Sequence, residues 1–193
     1  MTARPVLKMG NPVLNEVSRP VDEFDTPELH ALVADMLATM AATNGAGLAA
    51  IQIGVPLRVM VFGITFNPRY PTAEPVPTTV LVNPEVTVTD ETPVEFFEGC
   101  LSVPGLRGPV MRPDGIRYKG FDPKGNVIEA TVNGFHARVV QHELDHLDGR
   151  LFPSRVTDFT RFGFTEELEG AGVIPTPGKP AAGSDTKDAE ASG

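Results

Sequence analysis

The chain has 193 residues, 41% of them apolar and 21% charged, with a formal net charge of −9 and one cysteine. That length suits a single domain with a sizeable core, and the composition is that of an ordinary globular protein. The negative charge gives no general pull toward nucleic acid or anionic lipid, one cysteine excludes an internal disulfide, and no apolar run nears the roughly 20 residues of a membrane span.

The N-terminus, MTARPVLKMGNPVLNEV, has no continuous apolar stretch of the secretory type and no Arg/Ser-rich transit character. A cytoplasmic protein is therefore expected, or an organellar one whose transit peptide has been removed.

The first clear element is TPELHALVADMLATMAATNG. Thr26 can cap it, Pro27 suits the first helical position and Asn44-Gly45 stops it. Leu29, Leu32, Val33, Met36, Leu37 and Met40 recur at helical spacing, which predicts a core-packing helix. LRVMVFGI reads as a strand. The four prolines of residues 67–78 predict a surface loop, since proline suits neither a helix interior nor a central strand. TVLVNPEVTVTD and VEFF read as short strands, and GIRYKGFDPKGNVIEATVNG as a hairpin turning at Asp122–Asn126. A second helix is expected from Gly134 to Asp148. The Gly-, Pro- and Ala-rich residues 170–193 are expected to be a disordered tail after a catalytic domain of residues 1–169. The fold class this predicts is α+β, with short, mostly antiparallel strands around a central helix.

That central helix carries HELDH, an HExxH pattern. Positions four apart share a helix face, so His142 and His146 can aim two imidazoles at one metal ion. Glu143 then sits beside the ion as a base toward water rather than as a ligand. Phe135 and Val139 precede His142 on its own face and would wall an apolar pocket there.

The third ligand is not given by the pattern. Phe152 stands where the extended HExxHxxGxxH motif would need its last histidine, which removes that completion. Two candidates remain: Glu166 or Glu167 in FTEELEG, or Cys100 in EGCLSVPG, whose thiolate suits iron or zinc. His30 and His136 lie outside this geometry and read as structural or exposed.

GAGLAAIQ at 45–52, EGCLS at 98–102 and QHELDH at 141–146 together resemble, in order and spacing, the three signature motifs of the peptide deformylase family. The resemblance covers roughly residues 4–165, and CLSVPGLRG with the proline-rich loop looks closest to its type I branch. It implies that Cys100, His142 and His146 hold the metal, with Glu143 as general base and then proton donor. It also implies that Gln52 and the Leu101 backbone N–H bind the formyl oxygen, and that Gly47 offers backbone hydrogen bonds to the substrate. The implied metal is Fe²⁺, with Zn²⁺, Ni²⁺ or Co²⁺ as substitutes. The implied substrate is the N-formyl-methionyl end of a nascent polypeptide, met near the ribosomal exit tunnel, and no membrane or direct nucleic-acid readout is expected. Arg107 in PGLRG reads equally as a substrate contact or a surface arginine. A metallopeptidase with a glutamate ligand and a non-catalytic metal protein are the competing readings, and intact Glu143 and Gln52 weigh against the latter.

Overall fold

The computed structural model describes residues 2–65 and 74–175. Its elements run in the order α1 (Pro27–Ala42), β1 (Gly47–Ala49), β2 (Val59–Ile64), β3 (Val76–Cys100), β4 (Val103–Phe121), β5 (Val127–Asn133), α2 (Gly134–Leu147), β6 (Gly163–Phe164) and α3 (Thr165–Gly170). Strands β1 to β5 pair antiparallel in sequence order, and β6 pairs with β4.

At β2 the sheet is covered on both faces, whereas β5 alternates exposed and half-buried residues. All six residues of β2 are buried, as expected where side chains alternate between two filled layers. Met60, Phe62 and Ile64 join Ala137, Val140 and Leu147 of α2 on one side. Val59 and Val61 join Leu29, Leu32, Val33, Met36 and Met40 of α1 on the other. Helix α1 begins as expected, with the Thr26 side chain accepting from the Leu29 N–H. HExxH thus lies on a helix packed against the sheet, in keeping with the α+β expectation.

The strands are longer than their prolines suggested. β3 runs 25 residues and β4 runs 19, where the sequence suggested short pieces. Pro77 lies within the register shift between β2 and β3, while Pro84 and Pro93 fall at shifts between β3 and β4. At a bulge the missing proline N–H interrupts no ladder bond, so the strand bends and continues. The expected 67–78 loop is shortened for this reason, because Val76, Pro77 and Thr78 belong to β3; its residues 67–73 lie outside the described residues. The hairpin turn falls where expected, with Phe121 opposite Val127.

Helix α2 stops at Gly149, whose φ of +70° is the left-handed conformation common just past a helix end. A side chain there would also meet the Asn15 carbonyl oxygen at 2.6 Å. Beyond α3, the Val173 and Ile174 N–H groups return to the Leu168 carbonyl and Ile174 is buried. The tail expected from residue 170 therefore starts with a packed stretch, and its residues 176–193 lie outside the described residues. No described helix is long and apolar enough to cross a membrane.

Candidate active site

Three segments meet at one pocket. The end of β3 brings Glu98 and Cys100, with Leu101 in the turn that follows. Strand β1 brings Gly47 and the turn after it Gln52, and α2 brings Phe135, Val139, His142 and Glu143. Phe135 and Val139 line this pocket beside His142, as the helical spacing predicts.

One donor atom from each of Cys100, His142 and His146 lies within 4.8 Å of the others. Cys100 Sγ is 3.2 Å from His146 Nε2. His142 Nδ1 lies 2.9 Å from Glu98 Oε2, which leaves its Nε2 for the cluster. Burial works to raise the Cys100 thiol, but the His146 and His142 imidazoles outweigh it and hold the thiol well below its ordinary range. Burial likewise opposes the His142 imidazolium, yet hydrogen bonds to Cys100 and Glu98 raise it well above the usual histidine range. A thiolate and two imidazoles at this separation fit one divalent transition metal.

Glu143 is buried in the same pocket, and its Oε2 finds no hydrogen-bond partner among the described residues. Burial pushes its carboxyl up to about 7, with the Cys100 charge adding to the rise and the two imidazoles opposing it. Gly47 sits directly over it: a Cβ there would fall 2.3 Å from Glu143 Oε1. The thin wall that glycine provides is thus filled from behind by the carboxylate.

Gln52 is oriented by its neighbours. Its Oε1 accepts from the Ala49 N–H at 2.8 Å, which turns the NH₂ toward Ser102 Oγ at 3.1 Å and Cys100 Sγ at 3.6 Å. Phe152, in place of an additional histidine, stacks against the His142 ring at 6.3 Å.

Behind the donors lies a buried charge network that motif reading missed. Glu98 accepts from Arg112 Nε at 2.6 Å and Nη2 at 2.9 Å, and from Arg138 Nη1 at 2.8 Å. Arg112 also donates to Asp145 at 2.8 Å, and Asp145 is held from its other side by Arg155. Burial would raise Glu98, but the Arg112 and His142 bonds dominate and keep it far below the usual carboxylate range. Two buried acids and two buried arginines balance in charge, which makes burying them tolerable. The available signal was an acid two residues before Cys100 and another between the two histidines; their arginine partners lie too far along the chain to be paired by eye.

The remaining candidates lie elsewhere. Glu166 and Glu167 are exposed on α3 and outside the donor cluster. Arg107 is half-buried with its stem beside Gly99 and does not line the pocket. His30 is exposed and bonds Asp25 at 2.7 Å, and His136 packs near Phe62 and Tyr118.

A thiolate and two helix-borne imidazoles beside a buried carboxyl define the HExxH class of metal hydrolases. A family model described as Polypeptide deformylase matches residues 3–162. Peptide deformylase 1 of Nitrosomonas europaea is 58% identical over 165 residues, covering 86% of this chain and 94% of that protein. Peptide deformylase 1 of Prochlorococcus marinus is 50% identical over 175 residues, covering 90% and 91%. The class I type b peptide deformylase from Acinetobacter baumannii, solved with Met-Ala-Ser bound, aligns with a TM-score of 0.78 at 39% identity, over 80% of this chain and 99% of that one. An actinonin complex of a Synechococcus elongatus peptide deformylase aligns with a TM-score of 0.75 at 31% identity, over 89% and 87%. The chain belongs to the polypeptide deformylase family, metal-dependent hydrolases that remove the formyl group from the N-terminal formyl-methionine of new polypeptides.

Proposed function

We infer that this chain is a working deformylase in which Cys100, His142 and His146 hold the metal and Glu143 moves the protons. The observation that carries the reading is the convergence of those three donors within 4.8 Å, beside a carboxyl pushed up to about 7. A divalent ion bound there supplies a Lewis acid for the formyl oxygen and acidifies water.

The chain's own residues do the rest. Glu143 takes a proton from the attacking water, whose oxygen bonds to the formyl carbon. As the C–N bond breaks, Glu143 gives that proton to the leaving amine, and the products are formate and a free amino terminus. Burial, which raises this carboxyl above its ordinary range, suits both halves, because it brings the group closer to the acidity at which a proton is taken and returned near neutrality. The Gln52 NH₂ and the Leu101 N–H stabilise the charge gathering on the formyl oxygen. Support for the Gln52 role comes from its Oε1 bond to Ala49, which commits the NH₂ to the pocket side. Phe135 and Val139 wall the space for the methionine side chain, and Gly47 offers its backbone to the substrate chain.

The Met-Ala-Ser complex of the A. baumannii relative supports an extended peptide lying in this pocket. The physiological metal in this reading is Fe²⁺, which a thiolate ligand accommodates, with Zn²⁺, Ni²⁺ or Co²⁺ able to replace it. The enzyme acts in the cytoplasm on chains emerging from the ribosome. Its catalytic unit contains residues 1–169, in line with the family match over 3–162, and the packed residues 170–175 continue it. The test is formate release from formyl-Met-Ala by protein reconstituted anaerobically with iron and, in parallel, with zinc. Turnover with iron that decays in air supports the reading; no formate with either metal overturns it.

A further inference from the structure

The segment Leu7–Met9 precedes every signature motif, yet three of its groups reach the site's framework. The Leu7 N–H donates to the Gln52 carbonyl at 2.8 Å, and the Met9 N–H to the Ser102 carbonyl at 2.7 Å. Between them, Lys8 Nζ donates to the Leu101 carbonyl at 2.8 Å. The strap therefore joins the turn carrying Gln52 to the turn carrying Leu101 and Ser102.

Lys8 acts on a particular peptide. The Leu101 carbonyl and the Ser102 N–H belong to one planar unit, and that N–H points at Cys100 Sγ, 3.4 Å away. An ammonium on the carbonyl oxygen draws electron density through the amide and makes the N–H on its far side a stronger donor. Lys8 is exposed, and among the described residues it forms no ion pair, so its charge is not shared with a carboxylate.

We propose that Lys8 is a positioning residue of this active site, fixing and polarising the Leu101–Ser102 peptide so that its N–H tempers the Cys100 sulfur. The inference rests on the reading of Cys100 as a metal ligand. A sulfur that accepts a stronger hydrogen bond donates less charge to a bound ion, and groups around ligands tune metals in this way. The same contact holds the Leu101 backbone, and with it the adjoining Cys100–Leu101 peptide, in one orientation.

The test uses the full chain loaded with Co²⁺, whose sulfur-to-cobalt charge-transfer band reports on the thiolate directly. Lys8→Met should move the band to longer wavelength, because a sulfur freed of part of its hydrogen bond gives up charge more easily. It should also lower kcat with little change in KM, by less than the roughly 10- to 100-fold typical of a ligand's direct partner. Lys8→Arg should restore both, and Lys124→Met, which removes an exposed lysine from the β4–β5 turn, should alter neither. An unmoved band and unchanged kcat in Lys8→Met would overturn the proposal while leaving Cys100 as ligand. A wild-type protein with no such band would overturn the ligand reading itself, and the proposal with it.

Discussion

Glu98 Oε2 lies 2.9 Å from His142 Nδ1, while its other oxygen is shared between Arg112 and Arg138. That single carboxylate settles which nitrogen of His142 faces the site. With Nδ1 engaged by Glu98, Nε2 is the nitrogen left to offer a lone pair to a bound ion beside Cys100 and His146. Removing Glu98 has two separable effects. Glu98→Ala leaves two buried guanidinium groups without their shared partner, and breaking a buried pair in this way costs about 3–5 kcal/mol. Glu98→Gln keeps the shape but loses the charge, and is expected to weaken metal binding by roughly 10- to 100-fold. Calorimetric unfolding of the first variant and metal retained on dialysis against a chelator for the second read these effects. A folded Glu98→Gln with wild-type metal affinity would show that His142 does not depend on its partner.

Gly47 and Glu143 are coupled by space alone. A Cβ on Gly47 would sit 2.3 Å from Glu143 Oε1 and 2.7 Å from its Cδ, closer than any real contact. Gly47→Ala must displace the carboxyl, and a misplacement near 1 Å in a reacting group can cost about 100-fold in rate. Metal content should hold, because Gly47 contributes no donor. Steady-state kcat beside metal stoichiometry checks the pair, and full activity in Gly47→Ala would mean that Glu143 has more room than the backbone allows.

Cys100 separates the two ligand sets that the sequence left open. With Glu166 and Glu167 exposed on α3, nothing among the described residues replaces the thiolate in the donor cluster. Cys100→Ser exchanges a soft, charged donor for a poor one, so Fe²⁺ or Zn²⁺ affinity should fall at least about tenfold. Titration against a competing chromophoric chelator measures this. Undiminished affinity would return the glutamates to consideration.

How far the sequence could be read is clearest at these same residues. Cys100, His142, Glu143, His146 and Gln52 stand in short motifs because local backbone geometry presents them: a helix for three, a strand end for one, a tight turn for the last. Helix α1 and strand β2 were legible from periodicity and from a continuous apolar run. The lengths of β3 and β4 were not, since Pro77, Pro84 and Pro93 look like breaks until their register shifts are seen. Arg112 is 14 residues from Glu98 and 33 from Asp145, and Lys8 is 93 from Leu101. Contacts of that span leave no local pattern.

Glu143 also ties stability to pH. Its carboxyl moves from an ordinary 4.5 to about 7 in the folded protein without metal, first because it is buried. The folded state therefore holds a proton that the unfolded chain has already released between those two values. Below pH 4.5 both states are protonated and the residue has no effect on this balance. As pH rises toward 7 the folded state loses stability relative to the unfolded one, by about 1.4 kcal/mol per pH unit, and above 7 the loss levels off near 3 kcal/mol. Glu143→Gln removes that titration, so the metal-free variant should match the wild type at pH 4.5 and exceed it by about 3 kcal/mol at pH 8. Denaturant unfolding of both proteins across this range measures the difference. In the metal-loaded form the same variant should keep its ion and lose turnover by at least about 100-fold, since the proton carrier is gone and the donors remain. Equal pH profiles for variant and wild type would mean that the carboxyl is solvated rather than buried, and loss of the metal would make Glu143 a ligand.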